Sequence, residues 1–298
     1  GKPNFFIIGA ARCGTTSLAS LLSENPSVYF SNPKETRFFS ENYHKGIQFY
    51  EKKYFRKADH PLVGEGDVSY FSNPKAAERI TKHYPDSKLV VLLRNPIHRA
   101  FSGYLLGVRA GRFKKPFREI LEANLERVNL FEEGKLKYCE IEWKGRLLQN
   151  GHYLKNIKRY LEFWPQNKIK IIIFERLMEN TKKVLEALYD FLSIKSDRNF
   201  LFPHENIYTP KMYFKIRKKF RFLRKWKFLK PVKKAGKEAR KKIFLPKKPV
   251  LDPGAREFLY HHYKKRVQDL KDFLNDEIKE WADFDRTIDK RDFLIDME

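Results

Sequence analysis

The chain has 298 residues, 42% of them hydrophobic and 15% aromatic, which is enough to build the core of one large α/β domain. Its 62 Lys and Arg against 37 Asp and Glu give a formal charge of +25, so anionic partners are attracted; nucleotides, acidic glycans, nucleic acid and anionic membranes all stay open. Two cysteines, Cys13 and Cys139, exclude a disulfide framework and a Cys/His structural metal site, and no run of roughly 18 apolar residues is present to span a bilayer, so a reducing, cytoplasmic setting is expected.

Residues Asn4 to Ala10 form a short apolar run ending at glycine, which predicts a fully buried strand and is too brief for a signal peptide. Thr15 to Glu24 predicts a helix with Leu18, Leu21 and Leu22 on one face. Between them, GAARCGTTSL (Gly9 to Leu18) has the GxxxxG spacing of a phosphate-binding loop, but Thr15 stands where the usual Lys follows. Backbone N–H groups at the turn and helix N-terminus still favour an anion, Thr15, Thr16 and Ser17 add hydroxyls, and Arg12 supplies the positive charge. Such a loop suits a shorter anion handled without a metal, because metal-dependent phosphoryl transfer uses the missing Lys.

LVVLL at 89 to 93 predicts a second buried strand, leading through Arg94, Asn95 and Pro96 into a helix from about Ile97 to Ala110. Arg94 at the strand's carboxyl end suits bidentate pairing with a phosphate, and Ser102 reaches the same oxygens if the helix flanks the site. IKIIIF at 169 to 174 predicts a third strand, followed by helical periodicity through Leu185, Leu188 and Leu192. Lys211 to Lys248 mixes Lys and Arg with Tyr213, Phe214, Phe220, Phe222, Trp226 and Phe228, and Gly254 to Asn275 predicts a final helix. Continuous apolar strands alternating with helices imply an α/β fold, a P-loop-like parallel sheet flanked by helices on both faces, with ligands beyond the strands' carboxyl ends. The expected organisation is a single domain over 1–298 carrying a basic, aromatic-rich insertion or lid at about 211–248. That segment is either a solvated basic helix pair or an amphipathic lid making peripheral contact with an anionic membrane or acceptor.

The loop at Gly9 to Leu18 and LVVLLRNPIHRAFSGY (Leu89 to Tyr104) together resemble the 5'-phosphosulfate loop and 3'-phosphate motif of sulfotransferases that use 3'-phosphoadenosine 5'-phosphosulfate (PAPS). Within that superfamily the chain is most similar to the heparan sulfate sulfotransferases, in particular the sulfotransferase domain of the N-deacetylase/N-sulfotransferases. KETRFFSENYHKGIQFY (Lys34 to Tyr50) is similar to a segment those enzymes carry between the loop and the catalytic residue, GEGDVSYF (Gly64 to Phe71) resembles their ExxxxYF segment, whose Glu is the catalytic base, and weaker similarity continues through 150–165, 169–177 and 249–259.

By this resemblance Arg12, Cys13, Gly14, Thr15, Thr16 and Ser17 hold the 5'-phosphosulfate, with Cys13 filling space, and Arg94 and Ser102 hold the 3'-phosphate. Arg12 also serves the leaving group and Glu65 is the expected general base, with Asp67 as its runner-up; Lys34, Asp67 and Tyr153 are expected on the acceptor side. PAPS is the expected donor, adenosine 3',5'-bisphosphate the product, and no metal is implied. The acceptor is a glycan, glycolipid or small alcohol. Departures are Arg12 where the heparan enzymes usually have Lys, Gly66 where Lys usually follows the glutamate, and no disulfide-closed hairpin before a basic nucleotide loop, whose place is nearest Lys247 and Lys248.

Two other readings stand beside this one. A P-loop kinase is disfavoured by the missing loop Lys and by the lack of a strand-ending Asp for Mg²⁺. A non-catalytic polyanion-binding protein accounts for the charge, but no zinc, RRM or helix-turn-helix signature points to specific nucleic acid.

Overall fold

The computed structural model describes residues 1–137, 146–194 and 249–284. Five parallel strands, β1 (Phe5–Gly9), β2 (Val28–Phe30), β3 (Leu62–Gly66), β4 (Lys88–Leu93) and β5 (Ile169–Ile173), form one sheet in the order β2-β3-β1-β4-β5. Every residue of β1 and of β3 is buried. Because neighbouring side chains along a strand point to opposite faces, both faces must be covered, and helices pack around the sheet to cover them.

In chain order the helices are α1 (Thr15–Ser23), α2 (Ile47–Tyr54), α3 (Ser69–Ser72), α4 (Ala76–His83), α5 (Pro96–Arg109), α6 (Phe117–Glu132), α7 (Arg146–Gln149), α8 (Tyr153–Leu161), α9 (Phe174–Glu179), α10 (Thr181–Leu192) and α11 (Pro253–Leu274). Local chemistry fixes their ends. Asn95 caps α5 by accepting from the Ile97 and His98 amides with Pro96 in the first turn, and Asp252 caps α11 in the same way through Ala255. The α11 C-terminus closes on Asn275, a left-handed residue at φ 49°.

The three anticipated strands and the helices after them lie within a residue or two of their expected bounds. The strands β2 and β3 were not anticipated. Three residues are too few for a periodic signal, and Gly64 and Gly66 interrupt the apolar run of LVGEG. Gly64 is needed because a Cβ there would lie 2.2 Å from the Phe5 ring. The insertion at 211–248, with Lys247 and Lys248, lies outside the described residues, as does Cys139.

Since all strands are parallel, their carboxyl ends share one edge. The chain runs from β1 to β2 and β3 on one side and from β4 to β5 on the other, so the β1 and β4 ends flank the topological switch where ligands bind in such sheets.

Candidate active site

At the end of β1, Arg12 takes φ 70° and Gly14 takes φ 86°, the left-handed backbone that turns the loop sharply into α1. No side chain caps α1 and its first turn carries no acid, so its leading N–H groups are open to an anion. Thr15 and Ser17 are buried and Thr16 is exposed. Cys13 is fully buried, and burial pushes its thiol up to about 12, so it fills space rather than reacting.

Arg12 Nε donates to Ser102 Oγ at 3.1 Å, and Arg94 donates from Nη1 to the Arg12 carbonyl at 3.4 Å. The loop, the β4 end and α5 therefore converge at the switch point. Burial first, then Arg109 and Arg94, holds the Arg12 guanidinium below its ordinary value. Among the described residues neither Arg12 nor Arg94 has a carboxylate partner. Arg94 lies 5.0 Å over the Phe174 ring, and its Nε is buried without an acceptor, the condition of a donor awaiting a ligand oxygen. Gly103 keeps α5 close here, since a Cβ on it would lie 2.7 Å from Leu147 and 3.9 Å from Arg12.

The turn carrying Arg94 is tied from several sides. Tyr153 donates to the Arg94 carbonyl at 2.7 Å, the Asn95 amide donates to Glu175 at 3.0 Å, and Asn95 Nδ2 reaches Asp283 at 3.2 Å. Tyr153, expected on the acceptor side, is 2% exposed and supports Arg94 from behind. Asn95, Glu175, Phe174 and Asp283 carried no sequence expectation of a role, although Asn-Pro at a helix start is a readable cap signal.

Three carboxylates gather at the carboxyl ends of β2 and β3, and they differ sharply. Glu65 has 0% exposure. Its Oε1 accepts from the Thr36 amide (3.1 Å), Thr36 Oγ1 (2.5 Å) and Tyr70 (2.8 Å), and its Oε2 from Tyr50. Phe38 stacks on Tyr50 at 4.4 Å and Phe39 meets Tyr70 edge-on at 5.6 Å, closing an aromatic wall around the group. Burial, then Asp67, raises its carboxyl to about 7, against the pull of the three donor side chains. Glu65, expected to meet the acceptor, has its side chain turned inward with both oxygens engaged.

Asp67, 1% exposed, accepts from the Ser69 amide and hydroxyl and from the Arg37 amide at 2.6 Å, so it starts α3 and fixes the Arg37 backbone rather than facing an acceptor. Glu35, quoted in the sequence motif without a role, keeps 38% of its side chain exposed. Lys34 Nζ lies 3.3 Å from Glu35 Oε1 and 2.7 Å from the Gly66 carbonyl, while Glu35 Oε2 takes no hydrogen bond among the described residues. Among the described residues no group of three or more His, Cys, Asp and Glu is placed to hold a metal ion, and no helix is long and apolar enough to cross a membrane.

Comparison with known proteins matches residues 2–271 to the sulfotransferase domain family. The chain is 31% identical over 202 residues to the bifunctional heparan sulfate N-deacetylase/N-sulfotransferase 1 of Caenorhabditis briggsae, covering 64% of this chain and 23% of that protein. It is 29% identical over 203 residues to the heparan sulfate glucosamine 3-O-sulfotransferase 3A1 of Mus musculus, covering 67% and 49% respectively. It thus spans about half or less of the length of these relatives. The crystal structure of a sulfotransferase from Alicyclobacillus acidocaldarius superposes with a TM-score of 0.69 at 26% identity, covering 95% of this chain and 99% of that one.

Proposed function

This chain belongs to the sulfotransferase domain family, and from that premise we propose that it transfers the sulfuryl group of PAPS to a hydroxyl or amine of a glycan acceptor. The observation that carries this reading is the cluster at the β1/β4 switch: a helix N-terminus with no side-chain cap and, among the described residues, two guanidinium groups without carboxylate partners and a buried Arg94 Nε with no acceptor. Such a site is built for a multiply charged anion. The glycan class follows from the relatives, whose names give heparan sulfate as their substrate.

PAPS supplies a sulfuryl group on a phosphate leaving group. Arg94 and Ser102 hold the 3'-phosphate, and Arg12 with the amides of Gly14 to Ser17 holds the 5'-phosphosulfate and neutralises charge growing on the leaving oxygen. The acceptor must lose a proton as its bond to sulfur forms, and the base must be a carboxylate it can reach. Of Glu35, Glu65 and Asp67, only Glu35 keeps an exposed side chain, and its Oε2 takes no hydrogen bond among the described residues. Glu35 is the general base of this reading, and Glu65 organises the interior behind it.

The deciding experiment compares Glu35→Gln with Glu65→Gln, using radiolabelled PAPS and desulfated heparin and measuring adenosine 3',5'-bisphosphate affinity by calorimetry. Glu35→Gln is expected to lower turnover by about 10² to 10⁴ at unchanged nucleotide affinity, with Glu65→Gln close to wild type at a temperature where both are folded. The reverse pattern would return the role to Glu65. No binding of adenosine 3',5'-bisphosphate to the folded wild-type protein would remove the donor assignment altogether.

A further inference from the structure

Gly66 ends β3, and its backbone lies outside the left-handed region, so local conformation does not demand a glycine there. The demand comes from Lys34. A Cβ on residue 66 would lie 3.2 Å from Lys34 Cε, 3.3 Å from Cγ and 3.4 Å from Nζ, so the lysine stem packs tightly against the position a side chain would take. The Lys34 backbone is held in the same place: its carbonyl accepts from the Gly66 amide at 3.3 Å and from Ser31 Oγ at 3.2 Å. Its ammonium then donates to the Gly66 carbonyl at 2.7 Å and pairs with Glu35 Oε1 at 3.3 Å. With 20% of its side chain exposed, this is a lysine folded back over the sheet edge.

We propose that Lys34 is the positioning residue of the general base: it packs against Gly66, anchors on the Gly66 carbonyl and holds Glu35 Oε1, leaving Oε2 to face the acceptor. A compact ammonium suits this task, since its three hydrogens serve the carbonyl and the carboxylate and leave one for an oxygen of the bound substrates. A side chain on residue 66 would press on the Lys34 stem and displace it by at least a few tenths of an ångström, so positions 34 and 66 are coupled. The inference rests on Glu35 as the base, and it adds what fixes that carboxylate.

The test is a double-mutant cycle on Lys34→Ala and Gly66→Lys, with Lys34→Met as the variant that keeps the stem and drops the charge. Thermal midpoints are measured for all, and kcat and KM with PAPS and desulfated heparin. Lys34→Met is expected to lower kcat by roughly tenfold or more, as for loss of a charge-assisted contact, with acceptor KM and affinity for adenosine 3',5'-bisphosphate unchanged. Gly66→Lys alone is expected to lower the thermal midpoint, because two lysine stems compete for one space. In the Lys34→Ala background the same change should be tolerated and should restore part of kcat, since the new ammonium enters the vacated position. Equal destabilisation by Gly66→Lys in both backgrounds would overturn the shared space, a result that needs no acceptor. Full kcat in Lys34→Met alongside a loss in Glu35→Gln would overturn the positioning role alone, whereas normal turnover in Glu35→Gln would remove the reading of the base.

Discussion

A carboxyl group taken wholly out of water must find donors or keep its proton, and Glu65 does both. Its carboxyl sits at about 7, above the ordinary 4.5, because burial outweighs the donors from Thr36, Tyr50 and Tyr70. The folded protein therefore holds a proton that the unfolded chain has released throughout that window. The stability this group contributes is complete below 4.5, falls as pH rises towards about 7, and is level above it. The span corresponds to roughly 3 kcal/mol. Urea unfolding at about pH 5 and pH 8 should show wild type losing roughly 2 to 3 kcal/mol more than Glu65→Gln on going to the higher pH. Equal losses in the two proteins would mean that Glu65 is ionised in the folded state already at pH 5. The same residue shows where sequence reasoning stops. KETRFF and GEGDVSYF each carry one glutamate, and nothing in either string tells which side of the sheet edge the side chain takes. That choice is made by tertiary partners, Tyr50 from α2 and Tyr70 from α3, which are far from one another in the chain. Arg12, Arg94 and Ser102 were more legible, because their positions follow from the local geometry of strand-to-turn-to-helix units.

The turn from β4 into α5 is the element on which nucleotide binding depends in the proposed function, and most of its support comes from Asn95. Its Oδ1 accepts the first amides of α5, its backbone amide bonds Glu175 on α9, and its Nδ2 bonds Asp283, which is itself paired with Arg256 on α11 at 2.8 Å. Trp281 adds a bond from Nε1 to the second oxygen of Glu175 at 3.0 Å. One residue thus ties the β4 end, through its backbone amide, to the β5 end and, through its side chain, to the last described segment. Asn95→Ala is expected to cost about 1 to 2 kcal/mol as a lost cap and to weaken binding of adenosine 3',5'-bisphosphate, although Asn95 is not assigned to the nucleotide. Asn95→Ser should recover most of the stability through its own capping oxygen while leaving the Asp283 contact unmade. Unchanged nucleotide affinity in folded Asn95→Ala would show that Tyr153 and Glu175 hold Arg94 without it. Direct contact makes a larger claim for Arg94→Ala, with roughly a tenfold to hundredfold loss of affinity for the same nucleotide. At this scale the strands buried on both faces were readable as continuous apolar runs, and β2 and β3 were not. Their pairing depends on neighbours such as Phe5 packing over Gly64, information that lies 59 residues away from the glycine.

Over the whole molecule, the formal charge of +25 is read directly from composition, but its distribution is not. Several acids of the described helices are engaged by cations one turn away on the same exposed face, as in Arg118–Glu122, Lys115–Glu119, Lys182–Glu186 and Lys265–Asp269. Such pairs are nearly neutral and contribute little to stability or to the distant field. At the sheet edge the balance is different, since Arg12 and Arg94 lack carboxylate partners among the described residues and Arg109 acts on Arg12 as a further like charge. The field at the site therefore favours anions arriving from solution, and at about 0.1 M salt it extends only about 10 Å. A polyanionic acceptor should accordingly lose affinity as salt rises, because each cation it neutralises releases a counterion that salt opposes. Its KM is expected to climb by about an order of magnitude between roughly 50 and 500 mM NaCl, while that of a neutral alcohol acceptor stays nearly level at saturating PAPS. Saturating the donor matters, since the nucleotide is itself an anion and its own salt dependence would otherwise appear in both curves. If charged and neutral acceptors respond alike under those conditions, the uncompensated charge serves the donor alone, and acceptor recognition must then rest on hydrogen bonding and shape.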